Sequence, residues 1–262
     1  MASHTHQHHH NHQSHTHQNK EFFNNEAAAY DAKHEKTLGH IVDEIRTRLD
    51  FIGLDWVDDD DDSGDSENKK SPAKAVRLLD YACGTGVVSR ALAPSTTQCV
   101  GIDLSENMVA AYNARAENQG LTKEEMYAYQ GNLCVSDDPN PPAFSSPDFF
   151  NFDIAAVGLG FHHFDDPELA AKRLVERLGP GGVLVILDFL PHEKMETGHA
   201  ASHTVTHHGF SREHIQKIFT DAGAGKDFAL DELSRDVMFN RGMENGQPEM
   251  RRRIFIARGT KA

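Results

Sequence analysis

Asp80-Tyr81-Ala82-Cys83-Gly84-Thr85-Gly86 is the stretch that decides the fold, because it follows the apolar run Ala75–Leu79 directly. A short apolar run bounded by glycine is typical of a parallel strand that is buried on both faces. Gly84 and Gly86 allow a tight turn in which the backbone approaches a ligand closely. Helix-forming residues follow at 87–93, so the loop leads to a helix N-terminus, where free N–H groups favour a carboxylate or a phosphate. The pattern predicts a strand, a ligand-binding loop and a helix.

A second apolar run, Cys99–Ile102, ends in Asp103. An acid at the tip of the next strand, about 20 residues on, is placed to accept hydrogen bonds from ribose hydroxyls. A dinucleotide fold requires G-x-G-x-x-G, whereas Val87 follows Gly86 here and Ser89 stands at the position of the third glycine. The residues therefore predict a nucleotide-type ligand held between two strand tips, and they argue against a dinucleotide.

Both motifs resemble those of class I S-adenosylmethionine-dependent methyltransferases. Asp80–Gly86 is similar to their D-x-G-C-G-T-G signature, and Gly101–Met108 is similar to their second motif. Phe22–Asp31 resembles the F-x-x-x-A-x-x-Y-D opening of small-molecule methyltransferases of the ubiquinone and menaquinone biosynthesis type. The resemblance covers about Phe22–Gly259. It implies an enzyme whose cofactor is S-adenosyl-L-methionine and whose partner is a small-molecule acceptor.

Charge and composition narrow the classes of partner. The net charge of −14 over 262 residues argues against a nucleic-acid partner, which needs a surplus of lysine and arginine, and against an anionic membrane surface. Cys83, Cys99 and Cys134 lack metal-site spacing and indicate reduced thiols inside a cell. The chain shows no apolar stretch of membrane-spanning length and no signal peptide. We therefore expect a cytoplasmic protein, with the nucleus left open.

Four segments are expected along the chain. Residues 1–19 are almost wholly polar and rich in histidine, which predicts a disordered leader rather than a metal site. Residues 20–57 are expected to form a helical cap, because apolar residues recur at helical spacing within a helix predicted for Glu21–Leu54. The acidic run that opens 58–73 predicts a disordered linker. Residues 74–262 are expected to form the methyltransferase core.

Alternating apolar runs and helical stretches predict an α/β fold with a doubly wound, mostly parallel sheet. Strands are predicted near 75–80, 98–103, 126–131, 152–158 and 182–189, with helices near 86–93, 105–118, 167–178 and 211–222. Ser105 and Ser211 are expected to cap two of these helices. Two further strands near 226–235 and 252–258 predict a C-terminal antiparallel hairpin, which the class I methyltransferase sheet of seven strands also has.

The resemblance implies roles for individual residues in holding the cofactor. It assigns Asp80 to the methionine amino group, Asp103 to the ribose and Tyr30 to the mouth of the site. The glycine loop would lie against the methionine moiety through Cys83, Gly84, Thr85 and Gly86. Ala82 departs from the family pattern, because a glycine is common at that position.

The same resemblance places the adenine between Leu104 and Met108. Asn132, in Gly131-Asn132-Leu133, stands where the family usually has an aspartate that accepts from the adenine amino group. An asparagine accepts through its carbonyl oxygen, although without the strength that a charge adds. Gly158 ends the fourth predicted strand and is expected beside the sulfonium.

Methyl transfer from a sulfonium is an in-line displacement, so the protein mainly aligns the reactants and excludes water. A base helps only when the acceptor arrives protonated, as a hydroxyl or thiol does. Four histidines are candidates: His162, His163, His207 and His208. His163 ranks first for proximity to the cofactor and His208 for facing the acceptor. No metal is expected in the site.

Two alternatives stay open on the sequence alone. A non-catalytic or regulatory protein could retain this fold as an interaction module, and a methyltransferase acting on protein or RNA is disfavoured by the negative charge. Neither the acceptor nor the oligomeric state follows from the sequence, because a fold does not fix a substrate.

Overall fold

The computed structural model describes residues 6–57, 75–193, 203–239 and 250–262. The acidic run predicted as a linker and the glycine-containing loop predicted near 242–246 lie outside the described residues. None of the described helices is both long enough and apolar enough to span a bilayer.

Seven strands form one sheet in the order β3-β2-β1-β4-β5-β9-β6. Neighbouring strands from β3 to β5 are parallel, and β9 runs antiparallel between β5 and β6. A separate antiparallel pair, β7 and β8, was not predicted. The strands are β1 (Arg77–Tyr81), β2 (Gln98–Asp103), β3 (Met126–Gln130), β4 (Phe152–Gly158), β5 (Leu178–Phe189), β6 (Lys226–Glu232), β7 (Val237–Phe239), β8 (Met250–Arg252) and β9 (Ile254–Thr260). The predicted α/β fold, with a mostly parallel sheet of seven strands and an antiparallel C-terminal strand, is confirmed.

Helices cover both faces of this sheet. The helices are α1 (His6–Arg46), α2 (Leu49–Ile52), α3 (Val87–Leu92), α4 (Glu106–Asn118), α5 (Pro167–Arg177) and α6 (Arg212–Ala222). Because side chains alternate along a strand, Leu78 packs in the core with α1, α3 and α4, while Leu79 packs in the core with α5 and α6. The Ser105 and Ser211 hydroxyls accept from the backbone N–H groups of Met108 and His214, so both predicted N-caps are confirmed.

The N-terminal helix differs from the prediction at both ends. α1 begins at His6, inside the segment 1–19 that composition assigns to a disordered leader. The composition does not register a tertiary contact: Asn19 is buried and its amide donates to the carbonyl of His163. The expected continuous helix to Leu54 is also wrong, because the helix breaks at Thr47 and Arg48 before α2 begins.

The order of the strands creates the crevice that positions the site. The chain winds outward from β1 to β3 on one side and from β4 on the other, so the connections diverge between β1 and β4. In open α/β sheets a ligand binds outside the carboxyl ends of the strands at such a point. The loops after Tyr81, Asp103 and Gly158 all leave the sheet at this edge.

Candidate functional site

A cavity of about 610 Å³ lies at this edge of the sheet, beneath α1. It is formed by the loops that follow β1, β2, β3 and β4, together with residues of α1 and α4. Ten of the side chains or glycines predicted for the site line it: Tyr30, Cys83, Gly84, Thr85, Asp103, Leu104, Met108, Asn132, Gly158 and His163. Four others, Asp80, Gly86, Leu133 and His208, are not among the residues that line it.

The glycine loop leaves room where a ligand would pass. Gly84 has a φ of +52°, and a Cβ added there would meet no atom within 4 Å. Gly86, with a φ of +92°, faces the core instead, and a Cβ there would lie 2.8 Å from the ring of Tyr112. The residue between the strand and these glycines, Ala82, adopts a φ of +53° without being glycine. Backbone in this left-handed region costs an alanine about 1 kcal/mol. The observed φ therefore explains why a glycine, which adopts it without strain, is common at this position in the family.

Asp103 links the two strand tips. One carboxylate oxygen accepts from the Gly84 backbone N–H at 2.8 Å, and the other accepts from the Ser105 N–H at 2.8 Å. Burial raises the pKa of Asp103, and these backbone hydrogen bonds oppose that rise. Because each carboxylate oxygen has two lone pairs, both remain able to accept from a ribose hydroxyl. Asp103 also lines the cavity, and its contact with a ribose stays a prediction.

Asp80 supports the loop from below. Its carboxylate is buried and accepts from the Ser89 N–H at 3.0 Å and from the Ser89 hydroxyl at 2.7 Å. Tyr112 in turn donates to the same hydroxyl at 2.8 Å. Burial raises the pKa of Asp80 to about 7, against the opposing effect of the Ser89 hydrogen bonds. In this structure Asp80 ties β1 to α3, and contact with a methionine amino group stays a prediction.

The turn after β3 is organised around the hydroxyl of Tyr81. That hydroxyl lies 3.0 Å from Asn132 Oδ1 and 3.3 Å from Cys134 Sγ, so its one hydrogen is shared between two acceptors, and it accepts from the Leu133 N–H at 3.1 Å. Asn132 Oδ1 also accepts from the Cys134 N–H at 2.8 Å. The carbonyl oxygen expected to accept from adenine therefore already contacts a backbone N–H and a hydroxyl within the chain. The sequence did not reveal this arrangement, because Tyr81 lies about fifty residues before its partners.

α1 closes the cavity from above. Tyr30 lines it, and burial raises the pKa of its phenol to about 12, with the negative charge of Asp103 as the next cause. The ring of Phe23 packs edge-on against that of His163, with centroids 5.2 Å apart. Asn24 Oδ1 accepts from the Ser105 hydroxyl at 2.6 Å, which fastens the helix to the tip of β2.

Asp31 is a functional residue that the sequence reasoning did not assign. One of its oxygens accepts from the Thr85 hydroxyl at 2.6 Å, and the other forms an ion pair with Arg115 of α4. Arg115 donates to the Thr85 carbonyl at 3.0 Å as well. Asp31 therefore fixes α1 to the glycine loop. The tyrosine–aspartate pair that ends the Phe22–Asp31 motif was the available signal.

His163 lies on the cavity wall in a defined tautomer. Its Nδ1–H donates to the Thr204 carbonyl at 2.7 Å, since a carbonyl can only accept, so Nε2 carries the lone pair. Burial, with the neighbouring His162 as the next cause, lowers the pKa of His163 to about 3. The ring is therefore neutral near pH 7. It can accept a hydrogen bond from an acceptor hydroxyl or thiol, but it is a weak base.

The other candidate histidines occupy different environments. His162 Nδ1 donates to the buried carboxylate of Asp188 at 2.9 Å. The ring centroids of His162 and His163 are 4.0 Å apart. His208 accepts from the His192 N–H through its backbone carbonyl and does not line the cavity. The structure thus brings His163 to the site and places His208 outside the cavity wall. Among the described residues, no three His, Cys, Asp or Glu side chains are arranged to bind a metal ion.

Comparisons with known proteins agree with this geometry. The model of a methyltransferase domain family matches residues 40–225. An uncharacterized methyltransferase of Schizosaccharomyces pombe is 33% identical over 171 residues, which are 62% of this chain and 58% of that protein. The demethylmenaquinone methyltransferase of Thermus thermophilus is 35% identical over 121 residues, which are 45% of this chain and 49% of that protein. The chain therefore spans about half the length of these curated relatives.

A solved structure shows the same fold over nearly the whole chain. A chain of the complex between the Haloferax volcanii Trm112 methyltransferase activator and a methyltransferase matches with a TM-score of 0.63 and 17% identity. The match covers 92% of this chain and 96% of that chain. At this identity the likeness shows the fold alone.

Proposed function

The chain belongs to the methyltransferase domain family and is a class I methyltransferase; from that premise we propose that it binds S-adenosylmethionine in the cavity and methylates a small organic acceptor. The observation that carries the proposal is the pairing of Asp103 with Gly84. The Asp103 carboxylate, at the tip of β2, accepts from the Gly84 N–H in the loop after β1. A Cβ added at Gly84 would meet no atom within 4 Å, so space for a ligand is left there. That combination fits a ribose hydroxyl pair beside an extended methionine tail.

The residues that would hold this cofactor have complementary chemistry. Asp103 would accept from the ribose hydroxyls, while Leu104 and Met108 would contact the faces of the adenine. The backbone at Gly84 would pass close to the methionine moiety, because no side chain intervenes. Bound S-adenosylmethionine supplies an electrophilic methyl group on sulfur, whose displacement releases a neutral thioether.

The remaining residues would align the acceptor and exclude water. His163 Nε2 would accept a hydrogen bond from the nucleophile, which orients its lone pair toward the methyl group. Phe23 and Phe164 add apolar surface to the cavity wall, and residues of α1 cover part of the cavity. Because the neutral ring of His163 is a weak base, we expect its contribution to be orientation more than proton removal.

A small organic acceptor is supported by three observations. One relative is named a demethylmenaquinone methyltransferase, so its acceptor by name is a quinone and not a protein or a nucleic acid. The cavity continues past the cofactor residues to aromatic side chains of α1 and of the loop after β4. The net charge of −14 opposes binding of RNA. Transfer to oxygen, sulfur or nitrogen is compatible with this wall.

The test separates cofactor binding from turnover. Isothermal titration calorimetry should detect binding of S-adenosylmethionine and of S-adenosylhomocysteine. Incubation of the protein with methyl-labelled donor and a metabolite extract should then label at least one small molecule. Binding without transfer to any metabolite would favour the non-catalytic interaction module, and no binding of either nucleoside would overturn the proposal.

A further inference from the structure

The side-chain amide of Asn132 has a fixed orientation in the turn after β3. Cys134 contributes a backbone N–H, which can only donate, and it lies 2.8 Å from Asn132 Oδ1. The oxygen must therefore face Cys134, because a flipped amide would place the Asn132 Nδ2–H against the Cys134 N–H. The Tyr81 hydroxyl lies 3.0 Å from the same oxygen and 3.3 Å from Cys134 Sγ, so its one hydrogen is shared between these acceptors while its oxygen stays beside Asn132 Oδ1. No described residue accepts a hydrogen bond from Asn132 Nδ2 in this structure.

The neighbouring backbone donor is also in use. The Leu133 N–H points to the Tyr81 hydroxyl at 3.1 Å. The Tyr81 hydroxyl thus contacts both Asn132 Oδ1 and the Leu133 N–H, the acceptor and the donor that this turn would otherwise offer to a purine. Asn132 lines the cavity together with Cys134, on the side where Leu104 and Met108 would hold the purine ring.

We propose that Asn132 recognises the purine through Nδ2, as a donor to ring nitrogen N1, and that this site does not accept a hydrogen bond from the 6-amino group. The inference rests on the proposed use of S-adenosylmethionine. Asn132 is then a specificity-determining residue that donates a hydrogen bond to the purine, whereas the family residue at this position is expected to accept one. Ring nitrogens of adenine accept hydrogen bonds, so a donor there is matched. The site then tolerates loss of the amino group and rejects a base whose ring nitrogen carries a hydrogen.

The demethylated product and two of its analogues test this polarity in the unmodified protein. Calorimetry would compare S-adenosylhomocysteine with its 6-deamino analogue, which carries unsubstituted purine, and with S-inosylhomocysteine, which carries hypoxanthine. We expect the purine analogue to bind within about threefold of S-adenosylhomocysteine, because the ring nitrogen is retained. We expect the hypoxanthine analogue to bind at least about tenfold more weakly, because its ring N–H opposes Nδ2–H.

A substitution should create the missing acceptor. In Asn132→Asp, one carboxylate oxygen keeps the donors from Cys134 and Tyr81, and the other replaces Nδ2. We expect this variant to prefer S-adenosylhomocysteine over the purine analogue by about tenfold, since the amino group gains a charged acceptor. Asn118→Asp is the matched control: it adds the same charge at an exposed position at the far end of α4 and should leave all three affinities unchanged.

The outcomes are distinguishable. A purine analogue that binds more than about threefold more weakly than S-adenosylhomocysteine in the unmodified protein overturns the inference. So does a hypoxanthine analogue that binds within about threefold of S-adenosylhomocysteine, or a folded Asn132→Asp protein with unchanged preference. If that variant does not fold, the ratios in the unmodified protein decide alone. If S-adenosylhomocysteine itself does not bind, the proposed cofactor is wrong and the inference falls with it.

Discussion

The cavity has two halves that are built in different ways. The proposed cofactor half lies around Asp103 and Gly84, and the proposed acceptor half lies around His163 and Asn19. On the cofactor half, Asp103 is held by backbone N–H groups of Gly84 and Ser105, which lie 19 and 2 positions from it in the chain. On the acceptor half, Asn19 bonds to a residue 144 positions away, and His163 to one 41 positions away. The first half depends on strand tips and backbone, and the second on side chains that distant segments bring together.

This difference indicates where each half tolerates change. Backbone groups at strand ends are fixed by the sheet, so the cofactor half is rigid and its essential side chains are few. The acceptor half has no such frame, and its shape follows from α1, the loop after β4 and the segment around Thr204. We therefore expect substitutions on the acceptor half to change substrate preference while they leave the cofactor half intact.

The largest expected effect is on the cofactor half. Asp103→Ala should weaken binding of S-adenosylmethionine by at least about 100-fold, because it removes the ribose acceptor and the hydrogen bonds to Gly84 and Ser105. Asp103→Asn keeps one carbonyl acceptor and should show a smaller loss. Calorimetry on protein with an unchanged circular dichroism spectrum provides the measurement. Unchanged affinity in the alanine variant would refute the assignment of the ribose site.

On the acceptor half, His163→Ala should act on turnover instead. We expect kcat to fall about 30-fold while the dissociation constant of the donor stays within about twofold, because the ring orients the nucleophile and not the cofactor. His208→Ala is the matched comparison and should retain near-normal kcat, since His208 does not line the cavity. A reversed ranking in a methyl-transfer assay would restore His208 as the leading candidate.

The two halves should also respond to pH in opposite senses. The folded protein holds His163 neutral down to about pH 3, whereas the unfolded chain protonates it near 6.5, so its contribution to stability is lost as pH falls between these values. Asp80 is raised from 3.8 to about 7, so its contribution is present at low pH and is lost as pH rises toward 7. Each slope is about 1.4 kcal/mol per pH unit.

Urea unfolding at several pH values tests this prediction. His163→Gln should reduce the loss of unfolding free energy on acidification, and Asp80→Asn should reduce the loss between pH 4 and 7. Identical pH profiles for both variants and the unmodified protein would show that neither the pKa of His163 nor that of Asp80 is shifted as stated.

Asp31 joins the two halves and should have an intermediate effect. Asp31→Asn removes the ion pair with Arg115 and weakens the bond to Thr85, so α1 should release the glycine loop more readily. We expect about tenfold weaker donor binding, mostly through faster dissociation, as stopped-flow fluorescence would measure. Glu35→Gln, an exposed change on α1, removes the same charge and should have no effect. Equal effects in both variants would indicate a general charge effect.

The smallest expected effect concerns Ala82 at the boundary between the halves. Ala82→Gly should raise the free energy of unfolding by up to about 1 kcal/mol, because glycine adopts the observed positive φ without strain. Ala110→Gly in the exposed face of α4 should instead lower it by about 1 kcal/mol. Thermal unfolding of both variants measures the contrast, and a destabilised Ala82→Gly protein would contradict the assignment of strain.

The sequence by itself determined the sheet, its strand positions and the cofactor edge. Apolar runs, glycines and the acid at position 103 are local signals, since each reflects the needs of a few consecutive residues. The start of α1 at His6 was missed because composition does not register the contacts that order a polar segment. The break at Thr47 was missed because periodicity continues on both sides of it.

Only the tertiary structure decided that Tyr81 contacts the turn at Asn132, what Asp31 binds and which histidine reaches the cavity. Each of these depends on partners more than twenty residues away, and in some cases more than a hundred. Hydrogen bonding at such distances is set by how strands and helices pack, and no short-range pattern in the chain encodes it. Local motifs thus indicate the edge of the sheet at which we propose that a nucleoside binds, whereas packing decides which side chains surround it.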